Sequence, residues 1–235
     1  MTERHRIPVT AGEDLIAVVH GSGDEWIVFS HGLVSDKEGS YEGRCEEAAA
    51  RGYAAVRFDH RGCGESDGRF ERSSLGERVR DLEAVLDALV PDRPVLAGSS
   101  FGGAVCLAVA AKRDSVSAVA TRAPVTDLSR LAALEGADGT ATLGEEYSLG
   151  PAWFEDLQRH DLEETLRAVD CPVMIVHGAE DASVPFSDSV AALEALEGDV
   201  VLERLTEEGH RFSRAGEAYL RTRLFDWLAA IEPER

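Results

Sequence analysis

Beyond residue 50, short runs of branched and small apolar residues recur, and each is separated from the next by a gap long enough for a helix. YAAVRF at 53–58, PVLA at 94–97, VSAVAT at 116–121, PVMIVH at 172–177 and VVLERL at 200–205 are such runs. Parallel strands need long crossover connections, so this spacing selects a largely parallel sheet with helices on both faces. Three earlier runs, at 7–10, 14–19 and 26–30, are joined by turn-like segments such as GSGDE. They leave no room for helices and are expected to form an antiparallel meander. The chain is therefore read as α/β, with a mostly parallel eight-stranded sheet.

The clearest helices are expected at about 40–51, 74–89, 100–112, 187–197 and 214–231. In the second, Leu75, Val79, Leu82, Leu86 and Leu89 recur at three- and four-residue spacings, an amphipathic stripe that belongs to the core. The strands ending near 121 and beginning near 172 lie about fifty residues apart, far beyond an ordinary crossover loop. A short helical cap is expected at about 122–170, seeded by 127–135 and 151–169, within a single domain spanning 1–235. No repeat or low-complexity tract interrupts the chain.

After the run VLA comes Gly98-Ser99-Ser100-Phe101-Gly102, followed by an Ala/Val-rich helical stretch. A nucleophile on a sharp strand-to-helix turn takes strained backbone angles, so the residues two before and two after it must be nearly free of side chain. Ser100 meets this condition with Gly98 and Gly102. Ser99 does not, because Phe101 would occupy one of its flanking positions, and it is read as a supporting residue of the turn.

A serine hydroxyl needs a base, and that base needs an acid to orient it. On a strand-turn-helix nucleophile the partners follow in the order Ser, Asp, His. The loop after PVMIVH offers two carboxylates, Glu180 and Asp181, and the loop after VVLERL offers His210. Of the seven histidines, only His210 lies in the loop after the final strand. The oxyanion of an acyl-transfer intermediate also requires preorganised N–H donors. The amides of Phe101, next to the nucleophile, and of Leu33, in the loop His31-Gly32-Leu33 after WIVFS, are the candidates. His31 and Gly32 are expected to shape that loop rather than react.

These pieces, HGLVSDKEG at 31–39, RFDHRGCGESDG at 57–68, GSSFGG at 98–103, CPVMIVHGAEDASVP at 171–185 and EEGH at 207–210, resemble the landmarks of the α/β-hydrolase superfamily in order. The resemblance implies that Asp181 is the acid, with Glu180 as runner-up, and that Asp59 and Arg61 have no catalytic role. It points within the superfamily to small serine esterases similar to the cinnamoyl and feruloyl esterases and to the serine aminopeptidase-like group. The expected activity is cleavage of a small-molecule carboxylic ester through an acyl-enzyme, with no cofactor and no metal. A thioesterase or acyl-peptide hydrolase using the same three residues is the alternative, and a non-catalytic ligand-binding or sensor protein is the alternative of another class. Trp153, Phe154 and Leu157 are expected either to line the substrate pocket or to form the core of the cap.

Composition narrows the partners. The 44 acidic residues against 24 basic ones give a net charge of -20, and only Lys37 and Lys112 are lysines. Such a field repels nucleic acid and anionic membranes. It resembles the proteins of extreme halophiles, whose carboxylates keep the surface hydrated while salt screens their repulsion; an ordinary acidic protein from an arginine-preferring genome is the alternative. No window approaches the roughly 18 apolar residues of a membrane span, and no leader-like segment opens the chain, so a soluble, cytoplasmic protein is expected. The four cysteines are dispersed without a CxxC pair, which argues against a zinc knuckle or a disulfide framework. Oligomeric state stays open.

Overall fold

The protein is described by a computed structural model covering residues 1–10, 12–144 and 146–231. Eight strands form one sheet: β1 (Thr2–Thr10), β2 (Glu13–His20), β3 (Trp26–Ser30), β4 (Ala54–Phe58), β5 (Val95–Ser99), β6 (Ala118–Arg122), β9 (Val173–Gly178) and β10 (Val200–Leu205). Two short strands, β7 (Ala141–Leu143) and β8 (Tyr147–Leu149), pair as a separate antiparallel ribbon. The main sheet has the order β1-β2-β4-β3-β5-β6-β9-β10. Every pairing from β4 to β10 is parallel, and only β1–β2 and β2–β4 are antiparallel.

The order corrects the expected meander. β1 and β2 do form a hairpin, but β4 lies between β2 and β3. The short β2–β3 connection therefore steps across one strand position, and the chain returns through α1 (Ser40–Ala50) to fill it. Segment length sets which connections are possible, not which neighbour a strand takes. β1 also extends well N-terminal of the expected 7–10, because its polar residues Thr2–Arg6 sit at an exposed sheet edge and carry no apolar signal.

Side chains alternate across the sheet as strand geometry requires. Val28, Val56, Leu96 and Val119 face the core shared with α2 (Leu75–Leu89) and α3 (Phe101–Ala110). Ile27, Phe29, Ala55, Ala97 and Ala120 face the opposite core, closed by α1 and α8 (Arg214–Ile231). The sequence of α3, FGGAVCLAVA, is apolar all round, and all ten of its residues are buried. The remaining helices are α4 (Ser129–Ala132), α5 (Pro151–Leu157), α6 (Leu162–Arg167) and α7 (Phe186–Ala195). α4, α5, α6 and the β7–β8 ribbon all lie in the long segment between β6 and β9. Among the described residues, no helix is long and apolar enough to cross a membrane.

Candidate active site

The site is assembled at the C-terminal ends of the parallel strands, where an open α/β sheet presents its loops to ligands. β5 ends at Ser99, and Ser100 makes the turn into α3 with φ 55° and ψ −122°. A non-glycine residue held at positive φ is strained. The surroundings explain why it persists: a Cβ at Gly98 would stand 2.3 Å from the Gly102 carbonyl oxygen, and one at Gly102 would stand 2.3 Å from the Ser30 carbonyl oxygen. The turn is also tied on both sides, as the Ser100 N–H donates to Arg122 O at 2.9 Å and the Val125 N–H donates to Ser100 O at 3.1 Å.

The loops after β9 and β10 bring the two expected partners to this serine. His210 Nε2 lies 3.1 Å from Ser100 Oγ, and His210 Nδ1 lies 2.7 Å from Asp181 Oδ2. With Nδ1–H donating to the carboxylate, Nε2 is free to accept the serine proton. Asp181 Oδ1 accepts the N–H groups of Ser183 at 2.8 Å and Val184 at 2.9 Å, which fixes the carboxylate plane. Burial works against its ionisation, but the Val184 N–H, His210 and the Ser183 N–H outweigh burial and hold the carboxyl below the usual aspartate range. Of the two candidate acids it is Asp181 that meets His210; Glu180 is exposed, and its N–H donates to Glu208 O.

Gly32 in the loop after β3 packs against the same turn, with a built Cβ 3.5 Å from Ser100 Cβ. Neither the Leu33 amide nor the Phe101 amide donates to a protein acceptor among the described residues. His31 is buried and shapes this loop, as expected: its Nε2 accepts the His60 N–H at 3.1 Å, so its Nδ1 carries the proton and donates to Gly32 O at 2.8 Å. Asp59 is likewise structural, accepting from the Lys37 and Glu65 amides at 2.7 and 2.9 Å and from Lys37 Nζ at 2.9 Å.

Trp153, Phe154 and Leu157, all in α5, are buried in the core. Trp153 donates through Nε1 to Ser73 O at 3.2 Å and stacks on the Phe101 ring at a centroid distance of 6.0 Å. The side chain next to Ser100 thus rests on α5.

Two layers beneath the turn escaped sequence reasoning. Ser99 Oγ, fully buried, accepts from Arg44 Nη1 at 3.1 Å and Arg122 Nε at 3.3 Å. Arg122 in turn donates to the backbone carbonyl of His210, while Arg44 forms a bidentate pair with Glu217. On the other side Arg78 donates to the carbonyls of Gly32 and Leu33. Arg78 leaves a trace in the sequence, for it stands three residues after Leu75 and four before Leu82, inside the apolar stripe of α2. Arg122 leaves none, since its link to His210 spans 88 positions.

A sequence model of the alpha/beta hydrolase family matches residues 16–222. The chain belongs to the alpha/beta hydrolase family. This alpha/beta hydrolase is 28% identical over 205 residues to palmitoyl-protein thioesterase ABHD10, mitochondrial, from Homo sapiens, covering 79% of the chain and 67% of that relative. It is 34% identical to quorum-quenching protein AidA of Acinetobacter baumannii over 108 residues, 43% of the chain and 36% of the relative. Alpha/beta hydrolase domain-containing protein 10 from mouse superposes with a TM-score of 0.88 at 22% identity, covering 97% of this chain and 99% of that one. Est1E from Butyrivibrio proteoclasticus with bound ferulic acid gives 0.84 at 22% identity, covering 96% and 99%. At these identities the structural likeness describes the fold.

Proposed function

We propose that this alpha/beta hydrolase is a serine carboxylesterase in which Ser100, His210 and Asp181 act together. The observation that carries the reading is the relay in which one imidazole stands 3.1 Å from Ser100 Oγ and 2.7 Å from Asp181 Oδ2. His210 takes the hydroxyl proton as Ser100 Oγ attacks the ester carbonyl, and the Leu33 and Phe101 amides receive the oxyanion. His210 then protonates the departing alcohol, leaving an acyl-Ser100. Water, activated by the same imidazole, adds to the acyl carbon and expels the serine oxygen, which recovers its proton. Asp181 remains ionised, orients His210 and stabilises its cationic form. The reading treats the chain as one domain in which the segment at about 122–170 is a cap. In it, Trp153, Phe154 and Leu157 act on the substrate indirectly, through the seating of Phe101.

A second reading, thioester cleavage by the same three residues, is favoured by the curated relative named palmitoyl-protein thioesterase. The two differ in leaving group, because a thiolate departs with less need of a proton from His210. A panel of 4-nitrophenyl esters and acyl thioesters, run on wild type and Ser100→Ala, tests both. Turnover should fall by about 10³-fold or more in Ser100→Ala, and a fluorophosphonate probe should label wild type alone. A variant that keeps most of its activity ends the assignment, and kcat/KM favouring thioesters selects the second reading.

A further inference from the structure

Arg78 is wholly buried on α2, yet among the described residues no carboxylate lies within ion-pair distance of it. A buried guanidinium without a counter-charge is costly, and every contact it makes is therefore informative. Nη1 donates to Gly32 O at 3.0 Å, Nη2 to Leu33 O at 2.8 Å and Nε to Ser73 Oγ at 2.9 Å. Nη2 also approaches Cys63 Sγ at 3.3 Å, and Cζ stands 5.5 Å from the centre of the Phe101 ring. Asp81, the nearest acidic candidate on the same helix, is engaged by Arg61 Nε at 2.6 Å.

The carbonyl of Gly32 and the N–H of Leu33 belong to one planar trans peptide, so they point in opposite directions. Whatever grips that carbonyl therefore also fixes the direction of the N–H, on the opposite side of the peptide. Arg78 Nη1 and the protonated Nδ1 of His31 both grip it. A cationic donor on the oxygen also polarises the amide, which strengthens the N–H as a donor in a medium of low dielectric. His31 and His60 are kept neutral, because burial holds both imidazoles far below their ordinary range. The guanidinium is thus the positive charge beside this peptide, and it also lies against the Phe101 ring.

We infer that Arg78 is a positioning residue for the oxyanion site: it orients and polarises the Gly32–Leu33 peptide so that the Leu33 N–H meets the developing oxyanion. The inference rests on the serine-hydrolase reading above. It assigns to a side chain in the helix core a share of transition-state stabilisation that no contact with substrate provides.

The test compares wild type with Arg78→Met and Arg78→Lys. Three quantities are measured: kcat/KM for 4-nitrophenyl acetate, the inhibition constant of an alkyl trifluoromethyl ketone, whose adduct with Ser100 carries an oxyanion, and the binding of a neutral ketone that forms no adduct. Arg78→Met should lose about 10²-fold in kcat/KM and a similar factor in trifluoromethyl ketone affinity, with neutral ketone binding changed less than twofold. Arg78→Lys keeps the charge but cannot serve both carbonyls, and should recover part of both losses together. A purely structural role would shift all three measurements in parallel or none, and either result in a folded variant overturns the inference. Should Arg78→Met fail to fold, unchanged kcat/KM and trifluoromethyl ketone affinity in Arg78→Lys overturn it instead. If wild type neither cleaves esters or thioesters nor takes fluorophosphonate at Ser100, the functional reading itself fails, whatever Arg78 does.

Discussion

At the residue level, Gly102 is crowded by two carbonyls, for a Cβ there would stand 2.3 Å from Ser30 O and 2.5 Å from His31 O. Both oxygens belong to the backbone leading into the loop after β3, so relief of the clash must move that loop or the start of α3. Gly102→Ala should destabilise the fold by about 1–3 kcal/mol, as overpacking of a tight site does, and should also lower kcat more than it alters KM. Urea denaturation and steady-state kinetics measure the two effects, and a variant equal to wild type in both would show that the loop gives way freely. The same crowding made Ser100 legible in the sequence, because the glycine demand is local and falls within five residues. Strand order points to His210 and to the loop holding Glu180 and Asp181, and the resemblance to the superfamily chooses Asp181 between the two. Ser99 reads only as a supporting residue of the turn, and its part in linking Arg44 and Arg122 to the His210 backbone depends on contacts that no local pattern encodes.

Helices and strands show how the segment above the site is held down. Ser74 caps α2 by accepting the Glu77 N–H at 3.3 Å, and the Gly76 N–H in the same first turn donates to Asp156 of α5 at 2.8 Å. Asp156 also receives His160 Nε2 at 3.2 Å. A carboxylate at a helix N-terminus is favoured by the unpaired N–H groups and the helix dipole. Burial opposes its ionisation, but His160, the Gly76 N–H and Ser74 prevail, bringing the Asp156 carboxyl from 3.8 down to about 2. A depressed pKa in the folded state contributes stability that is complete above the unfolded value and fades as pH falls through the folded one. Between pH 4 and pH 2, therefore, the urea midpoint of wild type should drop more steeply than that of Asp156→Asn, which keeps the shape but not the charge. Parallel slopes would remove this anchor from the account. At this scale the sequence revealed helix positions well, since amphipathic stripes and caps are local. It missed the insertion of β4 between β2 and β3 and the β7–β8 ribbon, whose strands of three residues each are too short to show a periodicity.

For the molecule as a whole, the net charge of -20 sets the response to salt. Exposed carboxylates in such excess repel one another, and raising ionic strength from 0.1 to 1 M shortens the screening length from about 10 Å to about 3 Å. The urea midpoint should rise with sodium chloride over this range, and a flat or falling midpoint would count against a surface adapted to salt. The acidic excess was legible from composition, whereas the location of the positive charge was not. Three of the arginines, Arg44, Arg78 and Arg122, lie around the Ser99–Ser100 turn and the loop after β3 rather than on the acidic exterior. Lys37 is withdrawn in the same way, sealed against Asp59, Glu65 and Glu38. That leaves Lys112 as the one lysine whose amine meets solvent, just past the end of α3. Since α3 begins beside Ser100 and runs away from it for ten residues, about 15 Å of helix separates that amine from Ser100. Among the lysine side chains, coupling to a bead or a dye would therefore have one address, at the end of α3 remote from Ser100.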